Sequence, residues 1–192
     1  MNKFVDGCVR PDTAVRATTR SKSFALVAIT SLMLVAPSYG RSPAPKPGDV
    51  APPHIGTTVD GKPVLATDFP GKAVIVTYWA TWCTFCRKEL NILNVIQETA
   101  GDRVQVAAVN IDSPAVYKEI AKALSNFKIL VLHDADRKGR KAYDVDGIPH
   151  MIIIGKDGRI DTIRVGYSEE ALDDIVSSIN RAIGATPPAV AG

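Results

Sequence analysis

The chain has 192 residues, 46% of them hydrophobic and 22% charged, with a formal net charge of +3. That length and balance suit one domain with a real core and little more. Five basic and two acidic residues lie within residues 1–40, so the whole positive excess sits there. The rest is formally neutral, which argues against a nucleic-acid-binding face.

Residues 1–40 have the three-part order of an export signal. A basic stretch ends at Lys22, a 13-residue apolar run spans Phe24 to Ala36, and Pro37 to Gly40 are mostly small. Cleavage is expected after Ser38 or Gly40. The run falls short of the ~20 residues of a spanning helix, and an uncleaved N-terminal membrane anchor is the alternative. Either way the body is expected in the periplasm or otherwise outside the cytoplasm, where disulfides persist.

Residues 41–53 are proline-rich and read as an extended linker. A hairpin is expected from Ile55 to Val59, a turn at Asp60-Gly61, then Val64 onward. Ala73 to Trp79 is a β-branched and aromatic run, which predicts a buried central strand with Trp79 in the core. From Cys83 to about Thr99 the spacing predicts a helix, and Val104 to Ile111 a second buried strand. Ser113 and Pro114 open a helix as N-cap and first residue. A short strand at Ile129 to Leu132 and a short helix over 136–143 follow. Asp134 to Lys141 carries six charges and reads as a solvated face. Met151 to Ile154 and Ile160 to Val165 are strands joined by the turn Lys156-Asp157-Gly158. A last helix runs from Ser168 to Gly184, with Leu172, Ile175, Val176, Ile179 and Ile183 apolar, and 185–192 is a loose tail. Alternating strands and helices predict an α/β fold, and the late hairpin makes the sheet mixed.

Of three cysteines, Cys8 lies in the leader, so the body keeps only Cys83 and Cys86, spaced C-x-x-C at a strand-to-helix junction. Two cysteines are too few for a stapled mini-protein. At a helix N-terminus, free backbone N–H groups and the helix dipole favour thiolate over thiol. Cys83 would then attack, and Cys86, one turn inside, would resolve the mixed disulfide. Two duller readings stay open. A structural disulfide across so small a loop constrains the unfolded chain little. A zinc site would have only this pair with His54, His133 and His150 to draw on.

The segment YWATWCTFCRKE resembles the active-site segment of the thioredoxin superfamily, and of its TlpA/ResA branch in particular. PGDVAPP, DGKPV and DFPGKAVIVTYWATWC resemble the start of TlpA-like domains, and AYDVDGIPHMIIIGKDGRI with VGY their second half. The resemblance spans roughly residues 47–184. It implies a thioredoxin-like fold over 54–184, a mixed sheet flanked by helices with an N-terminal β-hairpin extension. It implies that Cys83 and Cys86 form the redox disulfide. Pro149 matches the cis-proline that faces the pair, and with Ile148 and Trp82 it would bind the substrate chain. Glu89 matches an acidic residue three positions after the second cysteine, on the same helix face as Cys86. It would move the proton of the resolving thiol, or else be a solvated charge beside Arg87 and Lys88. Three positions depart from the family pattern. Thr77 stands where thioredoxin has a buried aspartate, Phe85 where proline is usual before the second cysteine, and Asn91 where proline is frequent.

The expected activity is thiol–disulfide exchange, without cofactor or metal, reducing disulfides of exported proteins. Apocytochrome c and copper-site proteins are the substrates the resemblance implies, with electrons from a membrane-embedded dithiol. The alternatives are an oxidase or isomerase, a thiol peroxidase, and a copper chaperone using Cys83, Cys86 and His150. For a peroxidase, Thr81 lies two residues before Cys83 rather than three, and Val76 stands where a proline is needed. His150 alone reads either as a group touching substrate or as a satisfied side chain at the sheet edge.

Overall fold

The computed structural model describes residues 43–184. The expected leader and the tail over 185–192 lie outside the described residues. No helix among the described residues is long and apolar enough to cross a membrane.

Strands β1 (His54–Thr57) and β2 (Pro63–Leu65) pair antiparallel as the expected hairpin. Gly61 takes φ 78 in its turn, a left-handed value that favours glycine. Then come β3 (Ala73–Trp79), α1 (Thr84–Ala100), β4 (Val104–Asn110), α2 (Pro114–Ala123) and β5 (Leu130–His133). The chain closes with α3 (Lys138–Ala142), β6 (His150–Ile154), β7 (Ile160–Val165) and α4 (Leu172–Ala182). The strands form one seven-stranded sheet in the order β2-β1-β5-β4-β3-β6-β7. β3, β4 and β5 run parallel, β6 pairs antiparallel to β3, and β7 pairs antiparallel to β6. This is the mixed sheet expected from the element order.

Every residue of β3 is buried, because the strand is central and both its faces are covered. On one face Ile75, Trp79, Met151 and Ile153 pack with Leu90 and Leu93 of α1 and Ile175 and Ile179 of α4. On the other, Val76, Tyr78, Ile152 and Val109 pack with Ile55 and Tyr143. The packed unit reaches further back than the hairpin. Gly48 N–H donates to Ile160 C=O at 2.8 Å, Ile160 N–H to Asp49 C=O at 2.9 Å, and Ala51 N–H to Gly158 C=O at 2.9 Å. The prolines of this segment donate nothing, so its glycine, aspartate and alanine do the pairing.

Three local expectations change. Asp134 is buried rather than part of a solvated face. Its carboxylate accepts from Gly139 N–H at 2.9 Å, Arg140 N–H at 3.0 Å and Arg140 Nε at 3.0 Å, and so starts α3. Ser113 stands at the N-cap of α2, yet its side chain makes no capping bond. Val176 is exposed, and Ser178 takes an inward position on α4. Its hydroxyl is satisfied by Asp174 C=O at 2.8 Å.

Candidate active site

β3 ends at Trp79, and four residues later Cys83 caps the N-terminus of α1. Cys83 is the N-cap, in extended conformation, and its Sγ accepts from Cys86 N–H at 3.1 Å. The backbone donor suited to a thiolate at Cys83 is therefore in place. Cys83 and Cys86 are joined in a disulfide, with Cα atoms 5.2 Å apart. Cys83 is 8% exposed and Cys86 fully buried. The order of access matches the order of attack expected from the sequence.

The loop before Cys83 is braced from the next strand. Asp112 Oδ2 accepts from Thr81 N–H at 2.8 Å and from Asn110 Nδ2 at 2.9 Å. Arg87 Nη1 reaches back to Thr81 C=O at 2.8 Å. Trp79 is buried in the core, as its strand position predicts, and Trp82 is 70% exposed beside the nucleophile.

Glu89 is not a solvated charge: it is 3% exposed on the inner face of α1, with Cys86, Leu90 and Leu93. Thr77 Oγ1 donates to Glu89 Oε2 at 2.6 Å. Burial raises the carboxyl from its ordinary 4.5 to about 7, and the Thr77 bond pulls the other way. Glu89 can thus hold or release a proton near neutrality. Thr77 is no acid itself, but it anchors the acid from the adjacent strand. Sequence reasoning missed that pairing, since twelve residues separate the two in sequence.

The Ile148–Pro149 peptide bond is cis. Pro149 precedes β6, and Tyr78 of β3 pairs with His150 of β6, so the proline borders the end of β3 that leads to Cys83. Gly166 N–H donates to Pro149 C=O at 2.8 Å, tying the loop after β7 to the same place. A cleft of about 390 Å³ opens there, with Glu89, Arg164, Tyr167 and Ile175 among its walls. Tyr167 also stacks on Phe85, with ring centroids 6.3 Å apart. Tyr167 stands in the VGY segment of the sequence, where no role at the site was expected of it.

His150 belongs elsewhere. Strand side chains alternate between faces, and His150 shares the face of Ile152, Ile154 and its partner Tyr78. That face is opposite to the one holding Cys83 and Cys86. Nor is His150 a satisfied side chain at an edge: β6 is an inner strand, and neither ring nitrogen has a hydrogen-bond partner among the described residues. Burial pushes its pKa down, against the pull of Asp144 and Asp146. The three-ligand copper set of Cys83, Cys86 and His150 is not brought together. His133 stacks on Tyr117 and bonds Asp112 C=O at 2.8 Å, a structural role.

The profile of the Redoxin family matches residues 46–183. The chain is 29% identical over 128 residues to the thiol-disulfide oxidoreductase ResA of Bacillus subtilis, covering 65% of this chain and 70% of that protein. It is 33% identical over 125 residues to the thioredoxin-like protein YneN of the same organism, covering 62% and 71%. Among solved structures, it superposes on a thiol:disulfide interchange protein of the thioredoxin family from Chlorobium tepidum with a TM-score of 0.59. That match has 28% identity and covers 74% of this chain and 99% of the other. With its disulfide at the N-terminus of α1, the chain belongs to the Redoxin family and is a ResA-like thiol–disulfide oxidoreductase of the thioredoxin superfamily.

Proposed function

We propose that this oxidoreductase is exported and reduces disulfides of extracytoplasmic proteins, with Cys83 as nucleophile, Cys86 as resolving thiol and Glu89 as proton carrier. The observation that carries the reading is the arrangement on α1: an N-capping cysteine, a buried second cysteine, and a buried carboxyl one turn further in. The reduced enzyme starts with both cysteines as thiols. Cys83 thiolate attacks one sulfur of the substrate disulfide, forms a mixed disulfide and expels the first substrate thiolate, which takes up a proton. Glu89 then accepts the Cys86 proton, and Cys86 thiolate attacks Cys83 Sγ. The second substrate thiolate leaves and is protonated. The balance is two electrons and two protons passed to the substrate, leaving the enzyme disulfide.

Trp82, Ile148 and Pro149 are the expected substrate contacts, flanking the pair from the loop before α1 and the turn before β6. The leader-like order of residues 1–40 supports export, cleaved or as an anchor. Of the proline-rich stretch over 41–53, only the part before about residue 46 would serve as a linker, because the packing of the domain starts there. Ile148 before the proline resembles the reducing members of the superfamily. By the same resemblance, the substrates are apocytochrome c or copper-site proteins, and a membrane-embedded dithiol restores the enzyme.

The reduction potential of the Cys83–Cys86 pair tests the direction. The full chain is equilibrated in thiol buffers, and free thiols are counted by alkylation. A value near or below roughly −200 mV is expected of a reductant. A value near roughly −120 mV would make the protein an oxidant and reverse the assignment.

A further inference from the structure

We propose that Phe85 and Tyr167 form one aromatic platform that favours polypeptide disulfides with an apolar residue next to the reacting half-cystine. The inference deepens the exchange reaction assigned above and rests on it.

Phe85 lies in the first turn of α1, between the two cysteines. Tyr167 lies in the loop between β7 and α4. Their rings stack with centroids 6.3 Å apart and planes 29° from parallel. Two ties hold the Tyr167 loop against the redox pair. On one side Gly166 N–H bonds Pro149 C=O at 2.8 Å, and on the other Lys88 Nζ meets Glu169 Oε1 at 3.2 Å. The aromatic contact is thus framed by the cis-proline turn and by α1 itself.

Exposure singles out Phe85 and Trp82, with Tyr167 half-buried behind Phe85. Phe85 is 57% exposed and Trp82 is 70% exposed. The other large hydrophobic side chains exposed among the described residues are valines, so the exposed aromatic surface gathers beside the disulfide. Exposed aromatic rings concentrated at a reaction centre mark a contact surface, because they offer large apolar area on few rotatable bonds. The reaction supplies the occupant. A substrate sulfur has to reach Cys83, whose neighbours Trp82 and Phe85 are exposed while Cys86 is fully buried. Along an extended substrate each residue advances about 3.3 Å, so the residue beside the half-cystine falls on the rim made by these rings. Tyr167 also lines the Glu89 cleft, so the platform continues from the rim toward the proton carrier. An apolar neighbour gains by covering these rings, and a small polar one does not.

The test uses the full chain, reduced, with two synthetic disulfide peptides differing only in leucine or serine next to the half-cystine. In single-turnover reduction, the second-order rate constant of the wild type is expected to favour the leucine peptide by about tenfold, the low end for an apolar group in a binding site. Phe85→Ala and Tyr167→Ala should each lower that ratio to about twofold, and Tyr167→Phe should keep it. A wild-type ratio near one overturns the proposal, as does a ratio that survives both alanine variants. Equal loss on both peptides would make the stack a purely structural contact and would also overturn it. A wild type that reduces neither peptide would sink the reductant reading together with this one, whereas equal reduction of both sinks only this one.

Discussion

Glu89 is a carboxyl whose proton affinity depends on the fold. Burial raises it from 4.5 to about 7, and only the Thr77 hydroxyl offsets this. Between those two values the folded chain binds more protons than the unfolded chain. Stability therefore falls as pH rises through that window and levels off above about 7. The fall attributable to Glu89 is about 3 kcal/mol, on the order of 1.4 kcal/mol per pKa unit. Glu89→Gln keeps the shape and can still accept the Thr77 hydrogen bond. We expect the variant to lose this pH step and to be the more stable protein at pH 8, while its thiol exchange slows near neutrality. Denaturant titrations of the oxidised protein at several pH values check the first part. Parallel pH curves for wild type and variant would refute the assigned shift.

At the scale of elements, α3 sits close against β1 and β3, and Gly139 permits that distance. A Cβ there would lie 2.5 Å from Tyr78 Oη and 2.8 Å from Ile55 C=O, the two groups that already share a 3.1 Å hydrogen bond. Backbone cannot give way as a flexible side chain can. Gly139→Ala should therefore cost about 1–3 kcal/mol, as overpacking of a tight core does. Thermal unfolding should show a midpoint several degrees lower, with the redox potential unchanged, since α3 packs on the face away from the sulfurs. A wild-type midpoint would mean that α3 shifts without cost. The short helix itself was legible in the sequence, but its capping was not. Asp134 looked like one charge in a run of six, and only the packed structure buries it beneath the helix N-terminus.

For the whole molecule, the sheet order matters most. With β3 between β4 and β6, the turn into Cys83 meets Asp112 on one side and the Ile148–Pro149 turn on the other. Oxidation and resolution then share one site with unequal access: Cys83 is slightly exposed and Cys86 is not. Cys86→Ser should therefore trap a stable mixed disulfide between Cys83 and a substrate protein, visible as a thiol-labile band on a non-reducing gel. Cys83→Ser should trap none. Equal trapping by both variants would contradict the assigned roles.

Local signals carried much of this protein. Continuous apolar runs marked β3 and β4, and the C-x-x-C spacing at a strand end marked the redox pair, whereas the turn at Pro149 was expected only through resemblance to the family's cis-proline. The first two are properties of neighbours along the chain, where period and spacing are visible directly. What only the tertiary structure decided are relations between distant residues. Glu89 is an acid near neutrality because the core encloses it, against the pull of the Thr77 hydroxyl. His150 faces away from the sulfurs because strand parity puts it with Tyr78. Tyr167 joins the site because its loop is tied to Pro149 and α1. The physical reason is the same each time. Burial and hydrogen bonding depend on which strands and helices pack together, and a single sequence prints no such contacts.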